Sequence, residues 1–230
     1  MLADGMGGYN AGEIASGMAV AFIKSELSRW LSQAVQQASP KEVRRAMEIC
    51  VENTNLSILK AAHANSQYAG MGTTLVVGVF QRDLLILGHI GDSRCYRLRG
   101  GVLAQITRDH SLLQEQIDAG LISAEEAITS THKNLVTRAL GVEGDVQLEV
   151  HVHPVAAGDV YLLCSDGLTD MVSDAGIARI FSTAASLEAI ADGLVDAANA
   201  NGGRDNISVL ITQVGGSDEK RGLIARLLGK

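Results

Sequence analysis

Residues 72–107 read GTTLVVGVFQRDLLILGHIGDSRCYRLRGGVLAQIT, and how this stretch is parsed decides the fold. It holds β-rich runs at 72–80 (GTTLVVGVF), 84–90 (LLILGHI), 94–99 (RCYRLR) and 102–107 (VLAQIT), separated by short turns at Gln81–Asp83, Gly91–Ser93 and Gly100–Gly101. β-Branched and aromatic side chains bounded by polar or glycine turns mark strands, and turns this short join antiparallel neighbours. The stretch predicts an antiparallel meander.

Upstream the period is helical. Asn10 and Glu13 form a capping box for a helix over 10–37, with Ile14, Met18, Phe22, Leu27, Trp30 and Leu31 as its apolar stripe. Ser39, Pro40 and Glu42 supply an N-cap, a first-turn proline and a second box, which predicts another long helix over Pro40–Ala64. Downstream, 108–145 is polar and irregularly helical, with Ser123 and Glu126 as a further box, and reads as an insertion over a sheet edge rather than core. VQLEVHVH (146–153) alternates as a strand with one wet face does, and DVYLLCSD (159–166) is an apolar strand. Residues 173–200 return to helical spacing, and NISVLITQV (206–214) is a last strand. Helices gathered in pairs around antiparallel strands predict an α+β fold, a pair of sheets with helices outside.

The 230 residues are 47% hydrophobic, enough to fill a core, and one domain is the expectation. A net charge of −7 argues against nucleic acid as a partner, because phosphate backbones are gripped by clustered Lys and Arg. Cys50, Cys95 and Cys164 are odd in number and sit in apolar surroundings, as reduced buried thiols do. No apolar run is long enough to span a membrane and no secretion signal opens the sequence, so the cytoplasm is the expected location.

The chemistry lies in aspartates at strand ends: Asp4 in LADG, Asp92 in GHIGDS, Asp166 in LLCSDG and Asp205 in GRDNISVLI. The first three follow strands and Asp205 precedes one. In antiparallel neighbours those positions adjoin, so all can meet at one end of the sheets. Asp170 joins them if 166–171 turns helically. An Asp beside Gly also makes an ordinary turn, which is the simpler reading of any one of them. Together, clustered carboxylates repel unless a cation neutralises them, and an all-oxygen set without His or Cys suits Mg²⁺ or Mn²⁺. Paired divalent ions activate water for in-line attack on a phosphoryl group. Other routes are absent: no cysteine has an Arg six residues later, there is no GxxxxGK[ST], and Asn10 stands where a dinucleotide loop begun by Gly5 and Gly7 needs a third glycine.

DGMGG followed by a GE helix, then GTT, GDSR, TRDHS, SDGLTD and RDNISV, in that order, resemble the metal-dependent serine/threonine protein phosphatases of the PPM or type 2C family in their compact bacterial form. The resemblance runs from Asp4 to about Val214. It implies a four-layer α-β-β-α sandwich of two antiparallel sheets flanked by helices, with a binuclear Mn²⁺/Mg²⁺ centre at one end. It further implies Asp4 as the bridging ligand, Gly5 as a carbonyl ligand, and Asp166 and Asp205 as ligands of the second ion, these aspartates being the catalytic set. Asp92, with Asp166 and Asp170, resembles the site of a third ion.

By the same resemblance, residues 1–214 form the catalytic domain, 108–145 its flap, and 215–230 a flexible or amphipathic tail. Phosphoserine or phosphothreonine proteins are the implied substrates and a serine/threonine kinase the implied partner. Family members usually carry, before this motif, a segment with a phosphate-binding Arg and an acidic ligand; only three residues precede Asp4, so neither has a counterpart in this sequence. A truncated or start-shifted form is the expectation, with a sheet edge bared where a first strand would lie. Tyr9 and Met6 stand where family members place a His, which leaves the proton donor unassigned. A catalytically weak pseudophosphatase that binds phosphoproteins or a kinase is the second reading, and a nucleotide-binding loop the third. His151 and His153 share a strand face with Gln147 and Glu149 and read as solvated surface, while His110 reads as a structural hydrogen-bonding group. In the tail, Leu223, Ile224, Leu227 and Leu228 share a helical face ringed by Lys220, Arg221, Arg226 and Lys230, read as a short helix on its own domain or a frayed end.

Overall fold

The computed structural model describes residues 1–8, 11–34, 38–123, 126–127 and 135–215. The Asn10 cap, Tyr9 and most of the C-terminal tail lie outside them. Residues 1–4 run antiparallel to the first long strand, Leu2 exchanging both backbone hydrogen bonds with Val76 at 2.8 Å. Then come β1 (Gly5–Met6), α1 (Ala11–Ala34), α2 (Pro40–Ala64), β2 (Gly72–Thr73), β3 (Leu75–Gln81), β4 (Leu84–Ile90), β5 (Arg94–Arg99) and β6 (Val102–Gln105). Helix α3 (Leu112–Asp118), β7 (Glu149–Pro154), β8 (Val160–Cys164), the short α4 (Asp166–Thr169), α5 (Asp174–Thr183), α6 (Leu187–Ala200) and β9 (Val209–Gln213) complete the order. The strand pairs are antiparallel: β1 with β2, a three-stranded sheet ordered β3-β4-β7, and a four-stranded sheet ordered β6-β5-β8-β9.

Three apolar clusters lie between four layers, and the alternation of each strand decides which cluster a residue enters. Leu75, Val77 and Val79 of β3 and Ile86 and Ile90 of β4 face α1 and α2. Their neighbours Val76, Leu85 and Leu87 turn inward and meet Cys95, Tyr161 and Leu163 of the other sheet. The alternate residues there, Tyr96, Val160, Leu162 and Cys164, face α4, α5 and α6. The α+β sandwich implied by the motifs is therefore present, layered helix, sheet, sheet, helix. The cysteines are free and buried, as composition suggested. Ser39 and Glu42 form the capping box of α2, and Ser123 and Glu126 exchange box hydrogen bonds of 2.7 and 3.2 Å.

Three expectations are corrected. The meander breaks after β4: β3 and β4 belong to one sheet and β5 and β6 to the other. Strand β4 already has β3 and β7 on its two sides, so β5 has no edge of it to pair with. Gly91, at φ +100°, turns the chain across to the second sheet instead. Second, the buried face of α1 is Ala11, Ala15, Ala19, Ile23 and Leu27, with Met18, Trp30 and Leu31 of the expected stripe packed beside it, whereas Ile14 and Phe22 are 37% and 45% exposed. Small side chains bring the start of α1 close to the sheet and the 4–8 loop, an advantage that outweighs burying the larger apolar ones. Third, the 108–145 segment contributes core: Leu140 is fully buried in the helix-side cluster and exchanges backbone hydrogen bonds with Thr73. The helical spacing of 173–200 is borne out as two helices, the second starting after Ser186, whose hydroxyl accepts from Ala189 N–H.

Candidate metal centre

Strand register gathers the aspartates. Cys164, the last residue of β8, pairs with Arg94 at the start of β5 and with Val209 at the start of β9. Asp92, Asp166 and the Asp205 loop therefore lie at one end of the four-stranded sheet. Leu75 pairs with Ile90, which brings the start of β3 to the same end. There Asp4 N–H donates to Thr74 Oγ1 (3.0 Å), Thr74 N–H donates to the Asp4 carbonyl (2.8 Å), and Thr73 Oγ1 donates to that same carbonyl (2.8 Å). Thr74 Oγ1 also shares a 2.8 Å hydrogen bond with Ser93 Oγ, so Asp4 and the Asp92 corner are tied through one pair of hydroxyls.

Close backbone approaches complete the arrangement. A Cβ on Gly5 would stand 2.0 Å from the carbonyl oxygen of Gly12, and one on Gly12 would stand 2.7 Å from that of Gly5. Only glycine at both positions lets the 4–8 loop lie against the first turn of α1. A Cβ on Gly167 would likewise meet Asn206 O at 2.3 Å. Ser165 holds that contact: its hydroxyl donates to Asn206 O (2.9 Å) and accepts from Ser208 N–H (3.0 Å). The α4 turn brings Asp170 back over Asp166, the Asp170 N–H donating to Asp166 O at 2.8 Å.

The structure thus brings Asp4, Asp92, Asp170 and Asp205 each within electrostatic range of Asp166. Burial, with the charges of Asp166, Asp205 and Asp92 added, pushes the Asp4 carboxyl up to about 7. Burial, then Asp166 and Asp109, pushes Asp92 up to about 7, against a partial pull from Arg94. Asp166 is raised by burial and by Asp170 and Asp205, and its Oδ1 is buried with no hydrogen-bond partner. Asp205 is exposed and accepts from Asn206 N–H at 2.7 Å. Arg94, the cation acting on Asp92, is itself engaged by Asp109 through contacts of 2.6–3.0 Å. Crowded carboxylates with an orphaned buried oxygen and only oxygen donors fit a hard divalent cation.

Sequence reasoning missed the supporting residues. Asp109 of TRDHS, Thr74 of GTT and Ser93 and Arg94 of GDSR all touch the site or its supports, and their signal was membership of ordered motifs rather than residue type, whereas His110 is the structural hydrogen-bonding group the sequence suggested. Next to the carboxylates opens a cleft of about 530 Å³, walled by Leu113 and Ile117 of α3 and by Met171.

A helix-flanked double sheet that collects acidic oxygens at one end is the architecture of a metal-dependent hydrolase scaffold. Comparison with known proteins sharpens that class: the chain belongs to the Protein phosphatase 2C family, whose sequence profile matches residues 1–203. The serine/threonine phosphatase Stp of Listeria innocua is 38% identical over 213 residues, 93% of this chain and 83% of that protein. Among solved structures, the Mycobacterium tuberculosis serine/threonine phosphatase PstP/Ppp superposes with a TM-score of 0.83 at 35% identity, covering 93% of this chain and 87% of that one. The catalytic domain of PstP in complex with two manganese ions superposes with a TM-score of 0.80 at 36% identity, covering 93% and 86% of the two chains.

Proposed function

We propose that this chain is a protein-serine/threonine phosphatase that hydrolyses phosphoserine and phosphothreonine in proteins with Mn²⁺ or Mg²⁺, acting in the cytoplasm against a serine/threonine kinase. The observation that carries the reading is the convergence of Asp4, Asp92, Asp166, Asp170 and Asp205 around an unpartnered buried Asp166 oxygen, in a chain of the 2C family. Among the described residues no helix is long and apolar enough to cross a membrane. Residues 1–214 would form the catalytic unit, 108–145 the flap beside its cleft, and 215–230 a tail outside the chemistry.

In this reading Asp4, the Gly5 carbonyl, Asp166 and Asp205 would hold the two ions. Asp92, with Asp166 and Asp170, would hold a weaker third. The ions, when bound, supply the positive charge that acidifies an attacking water and neutralises phosphoryl oxygens. The protein's own contribution is placement. Thr73, Thr74 and Ser93 fix the Asp4 backbone, and Ser165 fixes Asp166 beside the Asp205 loop. Asp4 and Asp92, raised to about 7 by burial and neighbouring carboxylates, are the members of the set whose charge a bound cation would stabilise most. The apolar wall of Leu113, Ile117 and Met171 gives a peptide flanking the phosphoryl group a surface to lie on.

The test is hydrolysis of p-nitrophenyl phosphate and of a phosphothreonine peptide with Mn²⁺ titrated in. Metal-dependent turnover, reduced at least about a hundredfold by Asp166→Asn, is the expected result. Turnover that persists without metal, or survives the substitution, overturns the assignment.

A further inference from the structure

Gly91 poses a requirement the proposed ligands do not meet. Its positive φ carries the chain around the corner to Asp92, and a Cβ there would stand 2.7 Å from Thr74 Cγ2. The corner is buried, so the Gly91 N–H needs a protein acceptor or costs about 1–3 kcal/mol. That acceptor is a histidine ring: Gly91 N–H donates to His110 Nδ1 at 3.2 Å, while His110 N–H donates back to Gly91 O at 3.0 Å.

We infer that His110 and Glu149 form a positioning dyad that sets the place of Asp92 through the Gly91 backbone. A ring nitrogen that accepts carries no proton, so the hydrogen of neutral His110 resides on Nε2. Nε2 lies 3.0 Å from Glu149 Oε2, and Glu149, through its other oxygen, also receives His151 Nε2 at 2.8 Å. Glu149 therefore selects the tautomer that leaves Nδ1 free to accept, as carboxylates behind metal-ligating histidines do. His89 stacks on the His110 ring, with centroids 4.8 Å apart, and its own Nε2 donates to Arg108 O at 2.7 Å.

His89, His110 and Glu149 present ligand atoms within 4.8 Å of one another, a spacing that also suits a metal. Both nitrogens of His110 and Nε2 of His89 are already committed to protein partners, so the cluster acts as a support. His110 O also accepts from Thr137 N–H at 2.9 Å, which ties the far end of the flap region to the same point.

The inference rests on the reading of Asp92 as a metal ligand, and amide side chains can separate the two. Asn places an amide oxygen where Nδ1 accepts; Gln places an amide nitrogen where Nε2 donates. In metal-free wild type, long-range ¹⁵N NMR of the imidazoles should show His110 protonated on Nε2 and bare on Nδ1. By calorimetry, His110→Asn should bind the weakest Mn²⁺ within about twofold of wild type, and His110→Gln about tenfold more weakly. The Gly91 amide proton should stay downfield in the first variant and move upfield in the second.

A proton on Nδ1 in wild type, or equal affinity of the two variants, overturns the inference. If His110→Gln does not fold, the wild-type tautomer and the His110→Asn affinity still decide it. Asp92→Asn separates the readings: unchanged Mn²⁺ binding there removes Asp92 as a ligand, while the tautomer and the Gly91 shift test the dyad on their own.

Discussion

Strand β8 has a carboxylate just beyond each of its ends, and the two are treated in opposite ways. Asp159, before its first residue, accepts from Arg99 Nε and Nη2 (both 2.7 Å), from Ala156 N–H (2.8 Å) and from Tyr161 OH (3.3 Å). The Arg99 hydrogen bonds above all hold that carboxyl down to about 2. Asp166, beyond the last residue, faces Asp4, Asp170 and Asp205 and keeps one oxygen buried without a partner. An anion whose oxygens are all satisfied is architecture; one that keeps an oxygen buried and unsatisfied is a candidate binding site.

The largest effect expected from that contrast is a sign reversal. Asp166→Asn removes a charge from a repelling cluster, so the metal-free protein should gain about 1 kcal/mol in denaturant unfolding even as phosphatase activity falls at least about a hundredfold. Lost activity with lowered metal-free stability would show the cluster to be structural. Asp159→Asn should do the converse, lowering Tm by about 5 °C while leaving Mn²⁺ affinity unchanged in calorimetry.

The pH profile of metal-free stability should divide between the two ends. Asp92 keeps its proton up to about 7 in the folded chain, against 3.8 as the ordinary value. The native state therefore binds more protons than the unfolded one between about pH 4 and 7, and stability falls as pH rises across that window, by the order of 2 kcal/mol. Asp159 is depressed to about 2, so its contribution is present above about pH 4 and is lost as pH falls toward 2. Urea unfolding at a series of pH values should show both limbs, with Asp92→Asn flattening the neutral one and Asp159→Asn the acidic one. The smallest effect concerns α1: Phe22→Ser on its exposed face should cost no more than about 0.5 kcal/mol, whereas Ala19→Leu on its buried face should cost about 1–3 kcal/mol in the same assay.

What the sequence revealed and what it hid follow one physical division. Strand runs, the Ser39–Glu42 box and Asp residues at strand ends are local signals, and each led to the right element or the right end of the sheets. The change of sheet at Gly91 depends on which edges β4 has already filled, a fact about residues 149–154 that no reading of 84–99 contains. The buried face of α1 went to alanines for a similar reason. Hydropathy favours Ile14 and Phe22, but closeness to the 4–8 loop favours side chains with nothing beyond Cβ. The gathering of the aspartates was legible because strand-end positions adjoin in antiparallel neighbours, and like charges collected there repel unless a cation offsets them. Thr74 and Ser93 were not, because hydroxyls have many ordinary uses and declare their role only through partners distant in sequence; for His110 a structural role was legible, but not its partners Gly91 and Glu149.

The Gly5–Gly12 contact bears on how such a chain can diverge. Each backbone occupies the space where the other's side chain would begin, so replacing either glycine leaves the clash in place whatever happens at the other. No order of single substitutions leads away from the pair without first opening the loop that carries Asp4. Lineages that keep the centre should hold both positions fixed together, and lineages that lose its chemistry should be free to change both.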